Sequence, residues 1–370
     1  MKYSFVIPTY NKKEYLKKTL EALNNLSGYT RENYEVVVVD DGSPGEVFEF
    51  IKGVNRNYRL NYVYLERCED SCRARTRNYG IRAARGEYIV FIDDDIVVNN
   101  DYLKEADRCY GFSHNLVIIG MRLHCPSELI AGTSRKEYRI TACRKGDTNV
   151  MEVRHLIYNR LSYNLDAHKY PWMLTFSGNL VVSRKLVLDI GGFDENFKKW
   201  GFEDMDLGYR LFRAGAQFVI NSKMEAFHQP HPRSPEGENN SDYFVKKWEN
   251  LFKETDPDTL LLLYDIGFNN PNLLPPFRKY PGKIYNKVTI EFRKESELES
   301  VKKRILQLSR KKGTEVIVND YCENTDLDIW VQLLKVKNAS ISYFPQSLKI
   351  SDPTNFSILK EVMFDDKVLW

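Results

Sequence analysis

The chain has 370 residues, 42% of them hydrophobic and 28% charged, which excludes a protein disordered throughout. Its 54 Lys and Arg nearly cancel 51 Asp and Glu, and a net charge of +3 implies no nucleic acid or other bulk polyanion as partner. The longest uncharged apolar runs, residues 36–39 and 260–263, fall far short of the ~20 residues a membrane helix needs.

Residues 3–7 read as a short strand closed by Pro8, and its position directly after Met1-Lys2 leads us to expect no secretory leader. Asn11 with Glu14 three residues later predicts a capping-box start for a helix carrying Leu16, Leu20, Leu23 and Leu26 on one apolar stripe. Residues 34–39 form a β-branched run of the kind that a parallel strand buried on both faces requires, ending in the turn Asp40-Asp41-Gly42-Ser43-Pro44. A weaker strand at 61–65, a helix at 71–84 and a buried strand at 88–92 follow, the last running into Asp93-Asp94-Asp95. This βαβαβ order predicts an α/β fold with a Rossmann-like, doubly wound, mostly parallel sheet, whose ligands sit beyond the carboxyl ends of the strands.

Residues 121–170 show no period and receive no assignment. A strand is expected at 175–183, then the turn Gly191-Gly192-Phe193-Asp194. A helix at 203–214 follows, with Leu207, Leu211 and Ala214 on one face and Gly215 as its stop. Residues 218–220 read as a short strand ahead of Ala226-Phe227-His228, 229–240 as a surface loop, and 268–282 as a proline-bearing linker. Strands at 287–292, 314–318 and 339–344 and a helix at 296–311 make a small α/β appendix. The expected organisation is a domain over 1–240, a helical, Pro-rich connector over 241–282 and a small α/β domain over 283–370. The six cysteines show no paired CxxC spacing, which fits reduced thiols in a cytoplasmic enzyme.

The chemistry-bearing clusters lie at strand ends. Three adjacent carboxylates, Asp93 to Asp95, repel one another unless a cation sits among them, and oxygen ligands shared with phosphates suit Mg²⁺ or Mn²⁺; a solvated acidic turn is the plain alternative. Asp41 can accept hydrogen bonds from a base or ribose, or merely end a strand. Arg73 and Arg77 are four apart, share a helix face and could reach one diphosphate. Glu203 and Asp204 open a helix, where the dipole favours the ionised acid that a proton acceptor needs, and equally favours a simple cap. His228, with His231 three residues on, reads as a structural histidine or as a ligand that would bias a carboxylate site toward Mn²⁺.

Together these pieces resemble the family 2 glycosyltransferases of the GT-A fold over residues 3–230. The resemblance rests on Val6-Ile7-Pro8-Thr9-Tyr10-Asn11, Val39-Asp40-Asp41-Gly42-Ser43, Arg77-Asn78-x-Gly80, Ala84-Arg85-Gly86-Glu87-Tyr88-Ile89, Phe91-Ile92-Asp93-Asp94-Asp95 and Glu203-Asp204, in that order. Phe176-Ser177-Gly178-Asn179, Gly191-Gly192-Phe193-Asp194-Glu195 and Trp200-Gly201-Phe202-Glu203-Asp204-x-Asp206-Leu207 are similar to the acceptor-side block of three catalytic domains. Those are the chondroitin-polymerase-type, polypeptide N-acetylgalactosaminyltransferase and β-1,4-galactosyltransferase domains.

The resemblance implies a metal-dependent, inverting transfer of a hexose or N-acetylhexosamine from a UDP-sugar to an acceptor hydroxyl. Pro8, Tyr10 and Asp41 would line the uridine pocket, and Arg73 and Arg77 the diphosphate or sugar. Asp93 and Asp95 take the DxD places, with Asp94 between them on the donor side; Asp95 and His228 complete a site for Mn²⁺ or Mg²⁺. Gly178 and Asn179 would approach donor sugar or acceptor, Asp204 would be the base, and Glu203 would hold sugar hydroxyls. The acceptor stays open among carbohydrate, lipid-linked and peptide classes, as do peripheral membrane contact and homo-oligomers. Retaining chemistry and a non-catalytic sugar-nucleotide-binding relative are the competing readings.

Overall fold

The Val and Ile runs become the centre of one sheet. The computed structural model describes residues 1–54, 56–124, 158, 161–165, 170–229, 231, 239–254 and 283–346. Strands β1 (Tyr3–Thr9), β2 (Tyr34–Asp40), β3 (Arg59–Tyr64) and β4 (Tyr88–Ile92) lie parallel. With β5 (Ile96–Val98), β6 (Leu116–His124), β7 (Asn179–Ser183) and β8 (Gln217–His228) they form an eight-stranded sheet in the order β3-β2-β1-β4-β7-β6-β8-β5. Strand β7 is antiparallel to β4 and β6, β8 is parallel to β6, and β5 is antiparallel to β8. Successive side chains of a strand alternate faces. Val6, Val37 and Val39 accordingly join one core, while Phe5, Ile7, Val36 and Val38 join the other. Both faces are buried, as the unbroken apolar run requires.

Helices α1 (Lys13–Leu23), α2 (Val47–Lys52), α3 (Arg73–Ala83) and α4 (Tyr102–Tyr110) cover the first half. The predicted stripe Leu16, Leu20, Leu23 and Leu26 is wholly buried. The predicted capping box does not form. Asn11 adopts a left-handed φ of 55°, its N–H donates to Ser43 Oγ at 2.8 Å, and Lys12 precedes the helix without a side-chain cap. The loop after β1 is fastened to the loop after β2 instead. Gly80 permits α3 to lie on the sheet, since a Cβ there would stand 2.3 Å from Val6 Cγ1.

The second half departs from the sequence reading in three places. The strand expected from 175 starts at Asn179, because Pro171–Leu174 forms a 3₁₀ turn and Phe176 C=O accepts from Asn179 N–H at 3.4 Å. Ala214 is exposed beyond α6 (Glu203–Arg213), whereas Leu207 and Leu211 are buried. The short strand expected at 218–220 is the start of the 12-residue β8, whose pairing with β6 jumps from Gly120↔Asn221 to Met121↔Glu225. The polar residues inside that bulge hid the strand's continuation. Strands β5 and β6 and helix α4 lay in stretches given no element.

Helix α5 (Arg184–Asp189) precedes α6; α7 (Ser241–Lys247) and α8 (Glu249–Glu254) follow β8. Lys247 Nζ lies 2.7 Å from both Asp194 Oδ2 and Asp206 Oδ1, which fastens α7 to α6. The expected loop at 229–240 falls largely outside the described residues, as do the linker at 268–282, most of 121–170 and the tail beyond 346.

The C-terminal unit alternates β9 (Asn286–Phe292), α9 (Leu298–Ser309), β10 (Thr314–Asp320), α10 (Thr325–Leu333) and β11 (Ala339–Pro345), with three parallel strands in the order β11-β10-β9. It docks on the large sheet through α10. The Gln332 amide donates to Ile220 C=O at 2.7 Å and accepts from Ile220 N–H at 2.8 Å, and Thr325 Oγ1 donates to buried Glu105.

Candidate active site

Strand topology brings the distant clusters together. Asp93 to Asp95 form the turn between β4 and β5, closed by Ile96 N–H to Asp93 C=O at 3.2 Å. Strand β5 pairs with the end of β8, Ile96 opposite His228, and Gln229 N–H donates to Asp95 C=O at 2.8 Å. This register sets His228 Nε2 3.6 Å and His231 Nε2 3.0 Å from Asp95 Oδ2. One ligand atom from each of the three residues falls within 4.8 Å of the others. Both histidines raised in the sequence thus meet the same carboxylate.

The electrostatics suit a cation. Burial alone would raise the Asp95 carboxyl, yet His228, His231 and Lys12 hold it well below the ordinary range, so it stays ionised. Its Oδ1 is buried and has no hydrogen-bond partner. Burial, with the charge of Arg122 adding to it, lowers His228 against the pull of Asp95, which favours the neutral imidazole. Lys12 Nζ lies 2.7 Å from Asp95 Oδ2. Asp94 turns inward: Thr9 Oγ1 donates to it at 2.7 Å, and burial with the neighbouring Asp95 charge raises it to about 7.

Arg77 ties this turn to the start of α6. The sequence paired Arg77 with Arg73 at a helix face; in the structure Arg73 is exposed, while Arg77 is buried among carboxylates. Its guanidinium donates to Asp93 Oδ1 at 3.1 Å and Glu203 Oε1 at 3.2 Å, and lies 3.9 Å from Asp204 Oδ1. Burial works against the charge, but Asp204, Asp93 and Glu203 hold Arg77 protonated. Burial and the charge of Asp204 raise Glu203, opposed by Arg77. Glu203 Oε2 and Asp204 Oδ1 are buried without hydrogen-bond partners.

Local backbone presents these acids. Gly201 and Phe202 have φ of 76° and 69°, and a buried non-glycine residue in that region is strained by about 1–2 kcal/mol. Asn240 secures the loop by donating to Lys199 C=O and Gly201 C=O, each at 2.8 Å. Asn78 of the Arg-Asn-x-Gly motif clamps the Gly-Gly-Phe turn, donating to Phe193 C=O at 2.9 Å and accepting from Phe193 N–H at 2.8 Å.

The nucleotide-side residues gather at the ends of β1 and β2. Pro8 is half-buried opposite Val39. Arg67 lies 4.0 Å from the Tyr10 ring centroid and donates to Asp41 Oδ2 at 2.9 Å, while Arg75 reaches Asp41 Oδ1 at 3.5 Å. Gly178 lies beside Asp93, where a Cβ would stand 3.2 Å from Oδ2. Asn179 is fully buried; its amide donates to Met121 C=O and Met224 C=O, and Tyr102 OH donates to its oxygen. Its side chain joins strands inside the sheet.

Sequence reasoning passed over Lys12, Arg67, Arg75 and Arg122. Lys12 and Arg67 sit in loops where no period reveals direction. Arg75 was visible in the arginine-rich helix, but spacing alone favoured its neighbours.

Residues 4–175 match the family model described as glycosyl transferase family 2, and residues 159–232 match one described as the N-terminal domain of galactosyltransferase. The first match spans a little under half of the chain and makes it similar to the family 2 glycosyltransferases, in keeping with its α/β sheet. It is similar to the uncharacterized glycosyltransferase YfnE of Bacillus subtilis, 26% identical over 327 residues that cover 80% of this chain and 78% of that one. Chondroitin synthase of Escherichia coli is 30% identical over 249 residues, covering 62% of this chain and 35% of the synthase, so the chain spans about a third of that relative. Among solved structures, Staphylococcus aureus TarS 1–349 in complex with UDP aligns with a TM-score of 0.46 at 20% identity, covering 63% of this chain and 61% of that one.

Proposed function

We propose that the protein transfers a hexose or N-acetylhexosamine from a UDP-sugar to an acceptor hydroxyl with inversion, using a divalent cation. The observation that carries this reading is a set of three buried carboxylate oxygens that accept no hydrogen bond, Asp95 Oδ1, Glu203 Oε2 and Asp204 Oδ1. They are linked into one cluster by Arg77, which joins Glu203 and Asp204 to Asp93, two residues from Asp95. Unsatisfied buried acceptors are costly, about 1–3 kcal/mol each, and a cation and sugar hydroxyls would satisfy them.

Asp95, His228 and His231 fit a divalent cation, and two imidazoles favour Mn²⁺ over Mg²⁺. When bound, the cation would neutralise charge on the departing diphosphate. Tyr10, Arg67, Asp41 and Pro8 would hold the uridine. Asp204 would accept the proton of the acceptor hydroxyl as that oxygen attacks the anomeric carbon from the face opposite the phosphate, and Glu203 would orient sugar hydroxyls. Arg77 holds the base and the Asp93 turn at a fixed separation. Residues 1–240 would form the catalytic unit, 241–282 a connector and 283–370 a small α/β unit. Carbohydrate, lipid-linked and peptide acceptors all fit this chemistry. Among the described residues no helix is long and apolar enough to cross a membrane, and Cys68, Cys72, Cys109 and Cys322 are unpaired, which supports a cytoplasmic setting.

Thermal unfolding with UDP tests this reading. UDP at ~100 times its Kd is expected to stabilise by about 2.7 kcal/mol when Mn²⁺ is present, with little effect after chelation. Stabilisation or sugar transfer that is indifferent to chelator would remove the cation from the scheme. Calorimetry with the UDP derivatives of glucose, galactose, N-acetylglucosamine and N-acetylgalactosamine then selects the sugar.

A further inference from the structure

Lys12, Arg67, Arg75 and Arg77 each have a carboxylate oxygen within 3.5 Å. Arg122 has none among the described residues. It lies on β6 opposite Ala226, one position beyond the bulge that redirects β8 toward Asp95. It is half-buried, its Nε is buried without a hydrogen-bond partner, and no described residue forms an ion pair with it.

Two neighbours fix its place. A Cβ on Gly178 would stand 3.9 Å from an Arg122 terminal nitrogen and 3.2 Å from Asp93 Oδ2, so the guanidinium, the glycine and the Asp93 carboxylate border one space. On the β8 side, the residue opposite Arg122, Ala226, lies two positions before His228 on the same strand. Half-burying a guanidinium without a counter-charge is unfavourable, and the imbalance is relieved when a ligand supplies the anion. Planar, bidentate donors suit phosphate oxygens.

We propose that Arg122 binds the sugar-linked phosphate of the donor and stabilises it as it departs, an inference that rests on the transferase reading above. In the transfer, the acceptor oxygen bonds to the anomeric carbon while the bond from that carbon to the phosphate oxygen breaks. The electron pair stays on the phosphate oxygen, and the acceptor's proton passes to Asp204. Arg122 donates to that phosphate, and its interaction strengthens as negative charge grows there. Such a contact acts on kcat more than on ground-state binding. A carboxylate on the transferred sugar would offer the same oxyanion chemistry, but the position beside His228, where phosphate and cation meet, favours phosphate.

The test uses the full chain carrying Arg122→Gln or Arg122→Lys, with Mn²⁺ present. Calorimetry measures uridine, UDP and UDP-glucuronate, and steady-state transfer is measured on the donor that the wild type accepts. Arg122→Gln is expected to lower kcat by about 10²-fold, to weaken UDP by about tenfold, and to leave uridine binding unchanged. Arg122→Lys keeps the charge and is expected to recover part of both losses, and its thermal midpoint checks that the site still folds. Unchanged UDP affinity and kcat in Arg122→Gln would overturn the proposal. So would a loss confined to UDP-glucuronate, which would place a sugar carboxylate against Arg122. A wild type that binds no UDP would overturn the donor assignment itself, a failure distinct from a variant that binds UDP as the wild type does.

Discussion

Lys12 Nζ sits 2.7 Å from Asp95 Oδ2, the same oxygen that His231 Nε2 approaches to 3.0 Å. The chain therefore supplies its own cation to the cluster proposed to take a divalent one. Burial works against the Lys12 charge, but Asp95 and Asp94 keep it protonated. Lys12 and an incoming cation compete for one carboxylate. Lys12→Met is expected to tighten Mn²⁺ binding in nucleotide-free protein by about tenfold, the equivalent of one charged hydrogen bond worth ~1.5 kcal/mol. Electron paramagnetic resonance titration of free Mn²⁺ measures this, and equal affinities in both proteins would show that Lys12 does not compete.

Asp204→Asn keeps the shape of the side chain and removes its capacity to take a proton. Its kcat is expected to fall by about 10²–10⁴ with UDP affinity unchanged, because Asp204 pairs with Arg77 whereas Arg67 holds Tyr10 and Asp41. Full transfer by this variant would assign the base elsewhere.

Arg77→Met leaves Asp93, Glu203 and Asp204 facing one another without their shared cation. Removing one partner of a buried ion cluster costs about 3–5 kcal/mol, so the urea midpoint should fall accordingly. Glu203 is already raised by burial and by Asp204, and without Arg77 it rises further. A carboxyl raised in the folded state favours folding at low pH, so the variant should recover stability as pH falls toward 5. A midpoint deficit independent of pH would contradict this account of Arg77.

Asp194 titrates in the opposite sense. Burial would raise it, but Lys247, Asn196 and Tyr243 lower it from 3.8 to about 2. A depressed carboxyl stabilises fully above its unfolded pKa and loses that contribution as pH falls through the folded value, here between about 4 and 2. With solvent screening the contribution is about 1 kcal/mol. Asp194→Asn should lower stability by that amount at pH 7 and by much less at pH 2, read from urea unfolding at the two values.

Local signals made the first half legible. The Leu16 to Leu26 stripe, the valine run of β2 and the acidic ends of β2 and β4 each depend on near neighbours, so residue spacing reveals them. The site's closing half depends on register. Whether His228 reaches Asp95 is decided by a bulge three strands removed from β4, and whether Arg77 points at phosphate or at Glu203 is decided by where α6 begins. The extent of β8 was hidden for the same reason: Asn221 to Glu225 look like a loop until β6 lies beside them. Asn179 shows the converse, a motif residue whose amide is consumed in joining Met121 to Met224.

The paired hydrogen bonds between Gln332 and Ile220 let one side chain stand in for a missing ninth strand. A shortened chain ending before residue 283 would bare that flank of the eight-stranded sheet to any extended peptide, including its own twin. Such a fragment should scatter light increasingly with concentration while the parent stays clear, which gives the small C-terminal unit a guarding duty apart from whatever it contacts in the cell.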